Sequence, residues 1–319
     1  MQTILITGGA GFIGSHLAEE YLRRGYRVVI ADYSEENKAK NLQTALDHEN
    51  ARYYSANIRD KAAAAEIFAR HKPDIVSHHA AQKSIPKSMD DPAHDADVNI
   101  TGLLNVLDLA GRHGTRNFIY ISSGGALAGD IAEGGKSRES DYPQLASPYA
   151  ISKFAGEQYV RVYAQKYGFA FSALRYANVY GPRQAADGEC GVVPIFVNNI
   201  LAGAPSALMA YSDLPRGCTR DYVFILDVVR ANMLVTEKPL NDVVNIGSGV
   251  ETAVLDIYEG LAREFASEVP IVAQGPRAGD LRRAVLDCSK MEDFTGWRAQ
   301  VSLAEGLRAV REWTLGEAR

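Results

Sequence analysis

The stretch Thr3-Ile4-Leu5-Ile6-Thr7-Gly8-Gly9-Ala10-Gly11-Phe12-Ile13-Gly14 decides the fold. Its β-branched apolar start reads as a strand buried on both faces, and from Phe12 onward apolar residues recur at helical spacing. Between strand and helix, Gly8, Gly11 and Gly14 stand in GxxGxxG register. A pyrophosphate must come close to the free N–H groups and positive end of a helix, and a Cβ at these positions would block it. Glycine triplets also serve ordinary tight turns, so the motif takes its meaning from its surroundings. Asp32 closes the next β-branched run and follows Gly14 by 18 residues, close to the ~20 expected of the acid that holds an adenosine ribose. Two ribose hydroxyls donate well to a carboxylate, whereas a 2′-phosphate is repelled by it, so Asp32 favours NAD over NADP. Strand, glycine turn, helix and acid in this order predict a nucleotide site.

Outward from this motif, strands and helices alternate. Strands are expected at 3–7, 27–31, 52–55, 74–78, 117–121 and 170–174, with helices at 12–24, 61–70, 95–112 and 148–167. The alternation implies a parallel sheet covered on both faces, a doubly wound α/β fold of the Rossmann type. Beyond 176 the rhythm loosens around Gly181-Pro182 and Leu214-Pro215-Arg216-Gly217, where a smaller C-terminal substrate-binding lobe is expected. The run 243–246 reads as a strand returning to the sheet. The expected division is therefore 1–176 with 222–248 as the nucleotide domain, and 177–221 with 249–319 as the lobe.

Composition narrows the function classes. The 319 residues allow one large domain or two smaller ones at roughly 100–200 residues each. Lys and Arg total 34 against 39 Asp and Glu, a formal net charge of -5, which speaks against a nucleic-acid or membrane-surface binder. No run approaches the ~18 apolar residues of a membrane span, and the start lacks the basic region of a signal peptide, so a cytoplasmic protein is expected. The 3 cysteines lie far apart, and the 7 histidines offer no HxxxH spacing. His78 and His79 adjoin, but neighbours in a strand point to opposite faces. No metal site is expected.

A second constellation lies further along. Tyr149 and Lys153 are spaced to share one face of a helix, one turn apart. Ser122-Ser123 end the strand at 117–121, at the sheet edge where ligands bind in such folds. Tyr/Lys pairs arise by accident, and serines at strand ends are commonly turn residues. Behind a dinucleotide turn, the three together are far more specific.

On these residues the chain resembles the extended short-chain dehydrogenase/reductases and, within them, the nucleotide-sugar epimerases of the UDP-glucose 4-epimerase type. The resemblance spans essentially the whole chain. Besides Thr7 to Gly14, Asp32, Ser122-Ser123 and Tyr149/Lys153, it rests on His79-Ala80-Ala81-Gln82 and Leu174-Arg175-Tyr176-Ala177-Asn178-Val179-Tyr180-Gly181-Pro182-Arg183. Later segments carry it too: Thr219-Arg220-Asp221-Tyr222-Val223, Val244-Asn245-Ile246-Gly247-Ser248-Gly249 and Arg277-Ala278-Gly279-Asp280.

The resemblance implies a retained NAD and inversion at C4 of a UDP-hexose, glucose/galactose or N-acetylhexosamine, through a transient 4-keto sugar. Tyr149 would be the general base, favoured as phenolate by Lys153, which would also hold the nicotinamide ribose. Ser123 would bond the same sugar hydroxyl, with Ser122 the alternative because the local alignment is gapped. Cofactor contacts would come from Gly8, Gly11, Phe12, Ile13 and Gly14, from Asp32, and from Asn57 and Ile58. Ala80, Ala81, Gln82, Lys83, Tyr149, Lys153 and Tyr176 would complete them. Substrate contacts would be Ser123, Tyr149, Asn178 and Val193, with Arg220 and Arg277 at the diphosphate or nucleotide and Asp280 at the uridine ribose. A homodimer would form through the helices at 95–112 and 148–167.

Departures from the family pattern qualify this. Asn57 replaces a usual Asp, Ala128 replaces a usual Tyr before Gly129, Gly124-Gly125-Ala126 makes a glycine-rich loop, and Ala284 is small where galactose-type enzymes carry a bulky gate. A small residue there leaves room for an N-acetyl group. A 4,6-dehydratase needs an acid at the positions held by Gly124 and Gly125, and glycine has no titratable group. A uronate epimerase stays open as an alternative. A non-enzymatic NAD sensor would be expected to lack the Tyr/Lys pair.

Overall fold

The computed structural model describes residues 1–186, 191–275 and 281–316. The chain begins with β1 (Thr3–Thr7), α1 (Phe12–Arg23), β2 (Arg27–Asp32), α2 (Glu35–Asn41), α3 (Gln43–Leu46), β3 (Ala51–Ser55) and α4 (Lys61–His71). After β4 (Ile75–His78) come α5 (Ile85–Asp90) and α6 (Pro92–Ala96), which runs through a π turn (Asp97–Thr101) into α7 (Gly102–Arg112). Next are β5 (Asn117–Ser123), α8 (Gly124–Ala128), α9 (Pro148–Tyr167), β6 (Ala170–Tyr176) and β7 (Asn178–Tyr180). The chain continues with α10 (Val192–Ala202), β8 (Ser206–Met209), β9 (Thr219–Phe224), α11 (Ile225–Glu237) and β10 (Asp242–Ile246). It closes with β11 (Glu251–Ala253), α12 (Val254–Glu264), β12 (Ile271–Gln274), β13 (Arg283–Ala284), α13 (Ser289–Thr295) and α14 (Leu303–Thr314).

Seven strands form one sheet in the order β10-β6-β5-β4-β1-β2-β3, and the pairs from β3 through β5 are parallel. This is the doubly wound fold that the alternation predicts. The run at 243–246 does join the sheet, as its edge strand. β1 is buried throughout, as a parallel strand covered by helices on both faces must be. Thr7 lies opposite both Ala31 and His78, so the carboxyl ends of β1, β2 and β4 are level. The strand order turns back between β1 and β4, and in open α/β sheets that crevice is where ligands bind. Leu5, Val29, Phe68, Val76, Phe118 and Tyr120 are among the core residues beneath it.

Two expectations need correction. The helix at 95–112 is interrupted by the π turn, a wider turn set by i→i+5 hydrogen bonding that the helical reading did not separate from its α-helical flanks. β5 runs two residues past 121, so both serines belong to the strand rather than to the turn after it.

The chain divides into two compact units. The first comprises Met1–Ser123, Leu145–Arg175 and Val229–Val244; the second comprises Gly124–Gln144, Tyr176–Val228 and Asn245–Arg319, described up to residue 316. Segment 124–144 therefore departs from the sequence expectation by joining the second unit. The Ile131 N–H donates to Arg283 O (3.2 Å) and the Ser137 N–H to Val285 O (2.9 Å), tying the segment to the β13 region. Also in the second unit, β9 pairs with β7 and β13 in parallel and with β11 antiparallel, and β8 pairs with β12.

Candidate active site

At the end of β1 the backbone has no room for side chains. Gly8 adopts φ 67°, and a Cβ there would lie 2.6 Å from Ala80 N, on the loop leaving β4. A Cβ on Gly14 would lie 2.5 Å from Gly8 O. Gly11 caps α1 without a side-chain hydrogen bond, so the first N–H groups of that helix stay open to an anion. Asp32 is 9% exposed at the end of β2. Its Oδ2 accepts from Ala10 N and its Oδ1 from Ser34 N, both at 3.0 Å. Each oxygen retains a second lone pair for a ribose hydroxyl. A backbone cradle that any Cβ would fill, an uncapped helix start and a pinned carboxylate fit NAD. Asn57 and Ile58 join Leu5, Thr7 and Phe68 in lining a small, mostly apolar cavity in the same unit.

The loop after β4 is fastened to β1. Thr7 Oγ1 and His78 Nδ1 are 2.9 Å apart, and the His79 N–H donates to Thr7 O (3.0 Å). Burial and the charge of Lys153 push both histidines down to about 3, which leaves them neutral at physiological pH. Further on, Gln82 is gripped on three sides. Its N–H donates to Asn99 Oδ1 (2.9 Å), its carbonyl accepts from Asn99 Nδ2 (2.9 Å), and its side-chain amide donates to Asp95 Oδ1 (2.8 Å). Lys83 is exposed.

The Tyr/Lys pair sits on α9. Ser147 caps this helix by accepting from Ala150 N (3.1 Å), Pro148 occupies its first turn, and Gly168 at φ 77° ends it. Tyr149 is half-buried and Lys153 is buried. The Lys153 ammonium donates to Ile121 O of β5 (2.9 Å) and lies 5.8 Å from the centre of the Tyr149 ring. Burial pushes Lys153 down to about 8, while the carboxylates of Asp95 and Glu157 oppose that shift.

The two serines of β5 part company, as strand neighbours must. Ser122 is buried and donates to Glu157 Oε1 (2.6 Å), while Ser123 is half-buried. Glu157 is held in turn by Arg175, at 2.8 Å from Nε and again from the NH2 group. Periodicity pointed to none of Glu157, Arg175, Asp95 or Asn99. The available signals were an acid one turn beyond Lys153 on the same helix, and the i, i+4 pair Asp95/Asn99.

In the second unit Tyr176 and Val193 are buried, and Asn178 and Arg220 are half-buried. Arg220 donates to its neighbour's carbonyl, Thr219 O (2.7 Å). Asp221 is buried and accepts from Ser248 N and Oγ (both 2.7 Å) and Gly249 N (3.0 Å). Arg277 and Asp280 lie outside the described residues.

A dinucleotide turn at the switch point of a doubly wound sheet, with a Tyr-x-x-x-Lys pair against the end of β5, defines a nicotinamide-dependent enzyme of the short-chain dehydrogenase type. The chain belongs to the NAD dependent epimerase/dehydratase family, whose profile matches residues 4–247. It is similar to the UDP-glucose 4-epimerase of Thermotoga maritima, solved with UDP-glucose, at 39% identity and a TM-score of 0.92 over 99% of both chains. The UDP-glucose 4-epimerase of Thermus thermophilus, solved with NAD, gives 38% identity and a TM-score of 0.91, again over 99% of both chains. A UDP-N-acetylglucosamine 4-epimerase of Methanobrevibacter ruminantium, in complex with UDP-N-acetylmuramic acid, gives 27% and 0.90 over 99% of this chain and 98% of that one. No described helix is long and apolar enough to cross a membrane.

Proposed function

We propose that this chain is a nucleotide-sugar 4-epimerase that inverts C4 of a UDP-hexose through a transient 4-keto sugar. The carrying observation is Tyr149 one helical turn before the buried Lys153, in a chain so similar to UDP-glucose 4-epimerases along its whole length. Held by the glycine turn and Asp32, NAD would supply the hydride acceptor and donor at C4. Tyr149 removes the proton of the C4 hydroxyl as that hydride leaves and returns it when the ketone is reduced. A tyrosine ordinarily titrates near 10, so the Lys153 charge beside it is what favours phenolate at neutral pH. Ser123 holds the same hydroxyl, since the Ser122 hydroxyl is already committed to Glu157. The glycine turn and Asp32 hold the cofactor, with Asn57, Ile58, Tyr176 and the 80–83 loop as further contacts. Asn178, Val193, Arg220, Arg277 and Asp280 are the proposed substrate contacts. The first unit is thus read as the cofactor domain and the second as the substrate lobe.

The sugar is glucose/galactose or an N-acetylhexosamine. The buried Ala284 supports the roomier C2 group, and the 39% identity to a UDP-glucose enzyme supports the smaller. A cytoplasmic homodimer completes the reading, supported by exposed apolar residues along α9. The test is to incubate the purified protein, with no oxidant or reductant added, with UDP-glucose and UDP-N-acetylglucosamine and follow C4 by NMR. Inversion of at least one sugar is expected, and a product that has lost water would replace this reading with a dehydratase.

A further inference from the structure

Apart from Asp108, which Lys61 and Arg112 hold near the far end of α9, four charged side chains are buried around the catalytic helix: Lys153 and Glu157 on α9, Arg175 on β6 and Asp95 on α6. Two of them satisfy each other. Glu157 receives a two-pronged bond from Arg175 and a third from Ser122. The other two have no direct ionic partner among the described residues. Lys153 donates to a carbonyl, Ile121 O. Asp95 is 0% exposed; its Oδ1 accepts from the neutral amides of Gln82 (2.8 Å) and Asn99 (3.0 Å), and its Oδ2 meets no donor among the described residues. A buried carboxylate with no cation near it is strongly unfavourable, and so is a buried ammonium with no anion. α6 packs directly on α9, and Asn99 bridges the seam, donating to Asp95 Oδ1 (3.0 Å) and to the Oγ of Ser152, next to Lys153 (3.2 Å).

We infer that Asp95 is a positioning residue, which supplies from α6 the buried counter-charge that keeps the Lys153 ammonium charged, while its hydrogen bonds fix the Gln82 loop. The π turn suits this arrangement. It begins two residues after Asp95 and contains Asn99, and π bulges inside helices gather at functional sites. The remaining groups around Lys153 leave this part to Asp95. From its own helix Tyr149 and Glu157 face it; from β5, Tyr120 and the Ile121 carbonyl; from β4, the neutral His78 and His79. Of the two carboxylates, only Asp95 lacks an ionic partner in contact.

The inference rests on the epimerase reading for calling Lys153 catalytic, but its test does not need turnover. Lys153 is followed with pH by NMR in the purified protein carrying 13C-labelled lysine, its signal identified by its loss in Lys153→Arg. The wild-type midpoint is expected at about 8, and Asp95→Asn should lower it by about one pH unit. Asn99→Ala, which loosens the loop but keeps the carboxylate, should weaken NAD retention and leave the midpoint in place. Where turnover is measurable, the alkaline limb of kcat should move with the Lys153 midpoint. An unmoved midpoint in Asp95→Asn overturns the inference. Should Asp95→Asn fail to fold, thermal unfolding in a Lys153→Met background decides. Recovery there supports the charge pairing, and failure in both backgrounds makes Asp95 a purely structural residue. A protein that inverts no sugar while Lys153 still responds to Asp95→Asn would sink the epimerase reading alone.

Discussion

In the proposed mechanism Tyr149 and Lys153 work as a pair, and each fixes a measurable property. Tyr149→Phe removes the hydroxyl that moves the proton, so turnover should fall about 10³-fold while the circular dichroism of the fold is retained. Lys153 sets the pH dependence. It is protonated below about 8 and loses its charge as pH rises through that value, so kcat should decline on the alkaline side. The same shift acts in the opposite sense on stability. In the unfolded chain this lysine keeps its proton up to its ordinary value of 10.5. Between about 8 and 10.5 the unfolded state therefore binds more protons than the folded one, and this group's contribution to stability rises with pH. Activity falling where that contribution rises is the signature to seek, by parallel kcat and urea-unfolding series. At this scale the sequence was legible for Gly8, Gly14, Asp32 and the Tyr/Lys pair, because each answers a local steric or helical rule. Asp95, Asn99, Glu157 and Arg175 were not. Their partners lie on other elements, at separations such as the 53 residues from Asn99 to Ser152, and no local pattern encodes such a contact.

At the level of elements, the site depends on how closely α9 approaches β5. Gly156 makes that approach: a Cβ there would strike the Tyr120 hydroxyl and come within 3.1 Å of Leu103. Tyr120 is 1% exposed and has nowhere to retreat. Gly156→Ala should therefore destabilise the protein by about 1–3 kcal/mol through overpacking, seen as a lower urea midpoint at unchanged slope. It should also lift Lys153 from Ile121 O and slow turnover beyond what the stability loss explains. Gly14→Ala acts on the other element of the site. Its Cβ would meet Gly8 O at 2.5 Å and Gly9 Cα at 2.6 Å, both backbone atoms that cannot swing aside. The turn must open, and purified Gly14→Ala protein should lose its NAD, which absorbance of the released nucleotide would report. Ser147, Pro148 and Gly168 carry recognisable start and stop chemistry for α9. The π turn carried no such mark, since it has no side-chain cap and no Pro or Gly within Asp97–Thr101.

For the whole molecule, the doubly wound parallel sheet followed from alternation and the returning strand from the apolar run at 243–246, whereas the strand order and the division into units did not. Segment 124–144 follows β5 directly in sequence, yet its hydrogen bonds run to residues near 283–285, a partner no local pattern announces. The overall charge of -5 is equally silent about where the molecule meets a second copy. The surface of α9 is more informative. Ile151, Tyr159 and Val162 are 51%, 38% and 56% exposed and recur at the spacing of one helical face. Ile85 and Met89 stand exposed on the adjoining α5. Scattered single apolar residues on a surface need no explanation, but an exposed apolar strip along one face of α9, with more on the helix packed against it, is what a homodimer would cover. Val162→Asp places a charge within that strip, far from Tyr149 at the other end of α9. Sedimentation at fixed concentration should give twice the chain mass for the wild type and a single chain mass for the variant, with the circular dichroism of the fold retained. A wild-type protein that sediments as a monomer would leave this strip unexplained and remove the dimer from the proposal. A variant that stays dimeric would place the interface elsewhere on the molecule.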